Sequence, residues 1–81
     1  MSETLESEYF QSSDLSLIAA IQLYGYQVEK MDRSNSEKII FIVRRDAELD
    51  NILNAFWSRS LKVEPLGYFE SLKAIKSRIY Q

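Results

Sequence analysis

Twelve carboxylates and ten Lys or Arg side chains are the chemically capable groups of this 81-residue chain, which contains neither histidine nor cysteine. Histidine is the usual proton shuttle and metal ligand near neutral pH, and cysteine the usual thiolate nucleophile and soft ligand. Most compact active sites therefore lose their central reagent here. Eleven of the carboxylates fall in the polar N-terminal segment, at expected helix starts (Asp14, Asp46, Glu48, Asp50, Glu64) or in and beside an expected turn (Glu29, Asp32, Glu37), and the twelfth, Glu70, stands three residues before Lys73 as an ordinary intrahelical pair. Capping and solvation account for acids in such places. No spacing selects two of them as a general acid and base, and no motif assembles them around Mg²⁺. The serines have no histidine to act as base, so Ser12-Ser13-Asp14 reads as a helix start. Gly25 and Gly67 are the only glycines and are far apart, which leaves no phosphate loop. We expect no catalytic residue, no metal and no cofactor, and a protein that is not an enzyme.

The basic side chains offer a different chemistry. Residues 1–43 carry three Lys or Arg against seven Asp or Glu, whereas residues 44–81 carry seven against five. Arg44, Arg45, Arg59, Lys62, Lys73 and Lys76, with the aromatics Trp57, Tyr68 and Tyr80 nearby, are the candidate contacts for a nucleic-acid backbone and its bases. The net charge of −2 works against indiscriminate binding of that kind. On a third expected helix Lys73 and Lys76 lie about 60° apart while Arg78 falls on the other flank of the apolar stripe. Basic side chains flanking a buried face commonly extend their charged ends to water.

Protein contacts are the other candidate chemistry. Trp57, the only tryptophan, sits at the edge of an apolar arc on the second expected helix. One reading folds the link 59–64 over it, with Leu61 and Val63 as cover; the other leaves it exposed as an anchor, the residue type most enriched at binding hot spots. Ala19 and Leu23 belong to a face of small residues on the first helix. That face either meets another helix of the same chain or meets a partner.

The elements that must position these residues follow from periodicity. Glu8-Tyr9-Phe10-Gln11 favours a strand. A helix over residues 14–24 starts at Asp14 and stops at Gly25, with Leu15, Leu17, Ile18, Ile21 and Tyr24 on a broad apolar arc and Ser16, Ala19, Ala20 and Leu23 opposite. Residues 26–31 alternate as a half-exposed strand, and a polar turn over 32–37 leads into Lys38-Ile39-Ile40-Phe41-Ile42-Val43. That last run is apolar at both phases of the alternation, which predicts a central strand covered on both faces. Asp46 caps a second helix carrying Leu49, Ile52, Leu53 and Phe56, and Pro65 opens a third built on Phe69, Leu72, Ile75 and Ile79. The resulting fold class is α+β: a small three-stranded antiparallel sheet with three helices, in the order β-α-β-β-α-α. The chain divides into a flexible tail at 1–7 and a single domain at 8–81. No secretory signal is visible and no apolar run is long enough to span a membrane, and a cysteine-free composition suits a reducing cytoplasm.

Phe10-Gln11-Ser12-Ser13-Asp14-Leu15, Ala55-Phe56-Trp57, Val63-Glu64-Pro65, Tyr68-Phe69 and the ending from Leu72 through Lys76-Ser77-Arg78 to Tyr80 together resemble a small family of uncharacterised domains in bacteria and their phages. The likeness covers residues 9–80. Ser12 stands where that pattern has threonine, and Phe56 where it has tyrosine; both keep the capping or packing role. The family has no assigned activity, so the resemblance implies a fold and supplies no site. From the residues we expect a non-enzymatic interaction or regulatory module working through protein contacts, with another protein or with a second copy of itself, and without a membrane partner. The alternative expectation is an accessory nucleic-acid binder using the basic C-terminal half.

Overall fold

The computed structural model describes residues 8–35 and 37–80. The polar segment 1–7, expected as a tail, lies outside the described residues. The elements run β1 (Tyr9–Ser12), α1 (Leu15–Gln22), β2 (Val28–Asp32), β3 (Ile40–Arg44), α2 (Ala47–Trp57) and α3 (Pro65–Ile79). The order β-α-β-β-α-α and the antiparallel sheet β1-β3-β2 are those expected from the sequence. β1 pairs with β3 from Tyr9 opposite Arg44 to Ser12 opposite Phe41. β2 pairs with the other edge of β3, with a bulge between Val28 and Lys30.

Local chemistry sets the helix ends. The Asp14 carboxylate accepts from the amides of Ser16 and Leu17 at 3.0 and 3.3 Å, and Asp46 accepts from Leu49 N–H at 2.8 Å. Glu64 accepts from Leu66 and Gly67 N–H, with Pro65 in the first turn, where its missing N–H costs nothing. α1 is two residues shorter than expected at its C-terminal end. Gly25, at φ 98°, turns the chain just after it, in the left-handed region that glycine enters without a Cβ clash.

Three helices share one face of this sheet, which corrects the expectation that both faces are covered. Phe41 and Val43 are buried and join a single core with Leu17, Ile18 and Ile21 of α1, Leu49, Ile52 and Leu53 of α2, and Ile75 of α3. Ile40 and Ile42, on the opposite phase of β3, are half-buried and stand outside that core. One face suffices because α1 is itself a packing hub. Its residues Leu17, Ile18, Ala19, Ala20 and Ile21 are all buried, so the other helices find apolar surface on α1 as well as on the strands. α3 reaches it through two hydroxyl side chains that bond to α1 carbonyls. Ser71 Oγ donates to the Ala19 carbonyl at 2.9 Å, and the Tyr68 hydroxyl donates to the Ser16 carbonyl at 3.1 Å.

Three further long-range hydrogen bonds tie the ends of this assembly. The Arg33 guanidinium, in the β2–β3 turn, donates to the carbonyls of Ile79 and Arg78, both at 3.0 Å, and so caps α3 from a distant hairpin. The Tyr24 hydroxyl, expected on the buried arc of α1, instead projects outward and donates to the Lys62 carbonyl in the link before α3.

Candidate interaction surfaces

The carboxylates occupy structural posts. Asp14, Asp46 and Glu64 hold helix amides, and Asp32 accepts from Ser34 N–H in the hairpin turn, an interaction that keeps its carboxyl below the usual range. The Tyr26 hydroxyl donates to Asp46 Oδ1 at 2.6 Å. Partial burial, and then this bond to a carboxylate, push the phenol up to about 12. The same bond, together with the Leu49 amide, holds Asp46 below the ordinary carboxylate range. Among the described residues no three acids gather as a metal site, and no buried side-chain polar atom lacks a partner.

The six basic candidates for nucleic-acid contact divide between separate places. Arg44 extends over the open face of the sheet, where its guanidinium lies 5.2 Å from the centroid of the Tyr9 ring and its Nε is 3.8 Å from Glu29. Arg45 points toward α2 and pairs with Asp50 at 2.9 Å. Arg59 takes φ 66° in the turn that ends α2, and Lys62 follows it in the link. Lys73 and Lys76 stand on the outer face of α3. The fold thus brings Lys73 and Lys76 together and leaves the two arginines of β3 and its exit engaged with acids.

Two surfaces expose apolar side chains. The first lies where α2 passes β1. Trp57 follows Leu53 by one helical turn but stands past the end of the buried stripe, so it is 58% exposed. Leu61 and Val63 do not fold over it as cover. Leu61 turns instead toward the core. Trp57, Phe10 and Leu53, with Arg45, Asp50 and Asn54, line a shallow groove of about 350 Å³. The second surface is the outer face of α3. Phe69, expected on the buried stripe, is 55% exposed, and Leu66 and Tyr80 are exposed beside it. The Lys73 ammonium lies 5.2 Å from the centroid of the Phe69 ring. The outer face therefore reads Leu66, Phe69, Lys73, Lys76, Tyr80.

Of the partner-contact residues expected from sequence, Trp57 and Leu23 are exposed, at 58% and 39%. Ala19 is not available. It is fully buried, and its carbonyl is taken by Ser71 of α3, because the small-residue face of α1 serves packing within the chain. The α3 face was missed, although its signal is present in the sequence. At 100° per residue Phe69 projects about 120° from Ile75, too far to share its stripe, and Leu66 lies farther still.

No helix among the described residues is long and apolar enough to cross a membrane. Neither a curated protein nor a solved structure matches the chain. One family model does match, across residues 7–81, and by that match the chain belongs to the family described as a domain of unknown function, DUF5659.

Proposed function

We propose that this domain is a small, non-enzymatic interaction module that acts through protein contacts. The observation that carries this reading is the exposure of Trp57, Leu66 and Phe69, large apolar side chains that a domain with so small a core leaves in water on two of its helices. Aromatic anchors of this kind dominate binding energy when a partner desolvates them. The acids support the same reading, since Asp14, Asp46 and Glu64 are committed to helix starts rather than gathered in a cleft. On the sequence likeness we place the domain in bacteria and their phages, and on its cysteine-free composition in the reducing cytoplasm.

Affinity capture on the tagged protein, with and without nuclease, tests the proposal when run beside Trp57→Ser and Phe69→Ser. We expect captured protein that survives nuclease and is lost with at least one of these substitutions at an exposed position.

One observation favours a second reading, contact with nucleic acid. Lys73 and Lys76 share the outer face of α3 with Phe69 and Tyr80, so two positive charges lie between two aromatic rings along one exposed stripe. Sub-micromolar oligonucleotide binding at about 0.15 M salt, with a steep salt slope that charge reversal at Lys73 and Lys76 flattens, would put this reading first.

A further inference from the structure

The two edges of the sheet are built differently, and only one resists pairing. β2 carries a bulge between Val28 and Lys30 and exposes Glu29, Lys30 and Asp32. Bulges and charges are the means by which proteins keep an edge from accepting another strand. β1 has neither. Its residues Tyr9-Phe10-Gln11-Ser12 are uncharged and pair with β3 in unbroken register.

The register also says which backbone groups β1 turns outward. Arg45 N–H donates to the Glu8 carbonyl at 2.8 Å, so Glu8 and Arg45 form a hydrogen-bonded pair of the antiparallel ladder. By alternation the next such pairs are Phe10 with Val43 and Ser12 with Phe41. The N–H and C=O groups of Tyr9 and Gln11 therefore point away from β3. Among the described residues no backbone group bonds to them.

We propose that the occupant of this edge is a second copy of the chain, paired β1 to β1 in antiparallel fashion so that two sheets become one of six strands. This inference rests on the reading of the domain as an interaction module and names its partner. Self-pairing centred on Phe10 sets Tyr9 of one copy opposite Gln11 of the other, and all four outward groups of each strand then find partners. Phe10 faces its own counterpart in the narrow, non-hydrogen-bonded position, where side chains approach most closely. It stands on the helix side of the sheet, in the groove it shares with Leu53 and Trp57. The two grooves thus meet along the two-fold axis, and both tryptophans lose water there. Charge permits this closure. The strand itself is neutral, and the charges lining the groove, Arg45 and Asp50, already neutralise each other at 2.9 Å. A strand of four residues gives few hydrogen bonds, which makes Phe10 and Trp57 necessary to the interface.

Sedimentation equilibrium of the full chain from about 1 to 300 μM, with hydrogen exchange read at the Tyr9 and Gln11 amides, tests this. The expected result is a reversible dimer of twice the 9.5 kDa chain mass, with both amides gaining protection as concentration rises. Gln11→Pro removes an outward N–H and no bond to β3, so it weakens association at least ten-fold while the monomer stays folded. Trp57→Glu, at an exposed side chain, does the same by placing two charges at the seam, and it carries the test alone if the proline variant does not fold. A monomer at every concentration overturns the proposal but leaves nuclease-resistant capture through Phe69 intact as evidence for the module. A dimer indifferent to both substitutions overturns it as well, because pairing is then elsewhere. Protection of the two amides that does not depend on concentration also overturns it, since the edge is then closed within one chain.

Discussion

Phe41 and Val43 look into the helices, whereas Ile40 and Ile42, their neighbours on the same strand, look out beside Tyr9, Lys30 and Arg44. All four are large and apolar, and three are β-branched, yet only one pair is core. The outward pair earns its place differently. β-Branched side chains suit the pleated backbone and stack against cross-strand neighbours even when one side meets water. Tyr9, Gln11 and Lys30 line one hollow with Ile42, which is half-buried there. An apolar residue on a strand therefore reports a strand with more certainty than it reports a covered face.

The comparison breaks most sharply at Phe41. Phe41→Asp puts a partnerless charge in the core at a cost of several kcal/mol, comparable to the whole stability of a small domain. We expect no cooperative transition by circular dichroism, and a melt near the parent's would show that the helix side is not the core. Ile75→Ala comes next, since it hollows the covered side without adding charge. It should cost about 2–5 kcal/mol by urea denaturation, because Ile75 is fully buried beneath α3. At Ile42 the same change as at Phe41 should be survivable. Ile42→Asp is expected to stay folded and lose about 1–2 kcal/mol, from strand preference and partial burial only. Equal losses at Phe41 and Ile42 would erase the distinction between the faces.

The smallest effect sharpens the comparison by loosening the clamp between the start of β2 and the start of α2. The folded state holds the Tyr26 proton to about 12, above the value of about 10 in an unfolded chain. Its contribution is therefore complete below pH 10 and is lost as pH rises toward 12. Asp46, held below its usual range, contributes in the opposite sense, fully above about pH 4 and progressively less as acid protonates it. The urea midpoint of the parent should fall between pH 10 and 12, and Tyr26→Phe should flatten part of that fall. An unchanged alkaline profile in the variant would mean that the phenol–carboxylate bond does not hold α2.

The element order and the sheet topology were legible because each rests on local signals: Asp14 and Asp46 as caps, Gly25 and Pro65 as punctuation, and the apolar run of β3. What escaped were relations between elements. Nothing near Ala19 in sequence announces that Ser71 will take its carbonyl, and nothing near Ile79 announces Arg33. The exposure of Trp57 stood as one of two readings, because a link of six residues has the length to cover an indole, and only the inward turn of Leu61 decides that it does not. Phe69 was misplaced by treating its apolar character as evidence of burial, the same inference that failed at Ile42.

The enclosure of α1 has a consequence for the nascent chain. By Arg44 all three strands have been made, and α1, with its apolar flanks, can lie against them. The residues that cover the far flank arrive only with α3, whose Ile79 is about 35 positions later. At roughly 5–20 residues per second the ribosome takes about 2–7 s over that interval. For that time Ala19 and Ala20, both buried in the finished molecule, face solvent on a half-built one. A chaperone, or a second nascent chain from the same message, has its opportunity in those seconds. The seam most vulnerable to misassembly is thus one that the folded protein no longer displays.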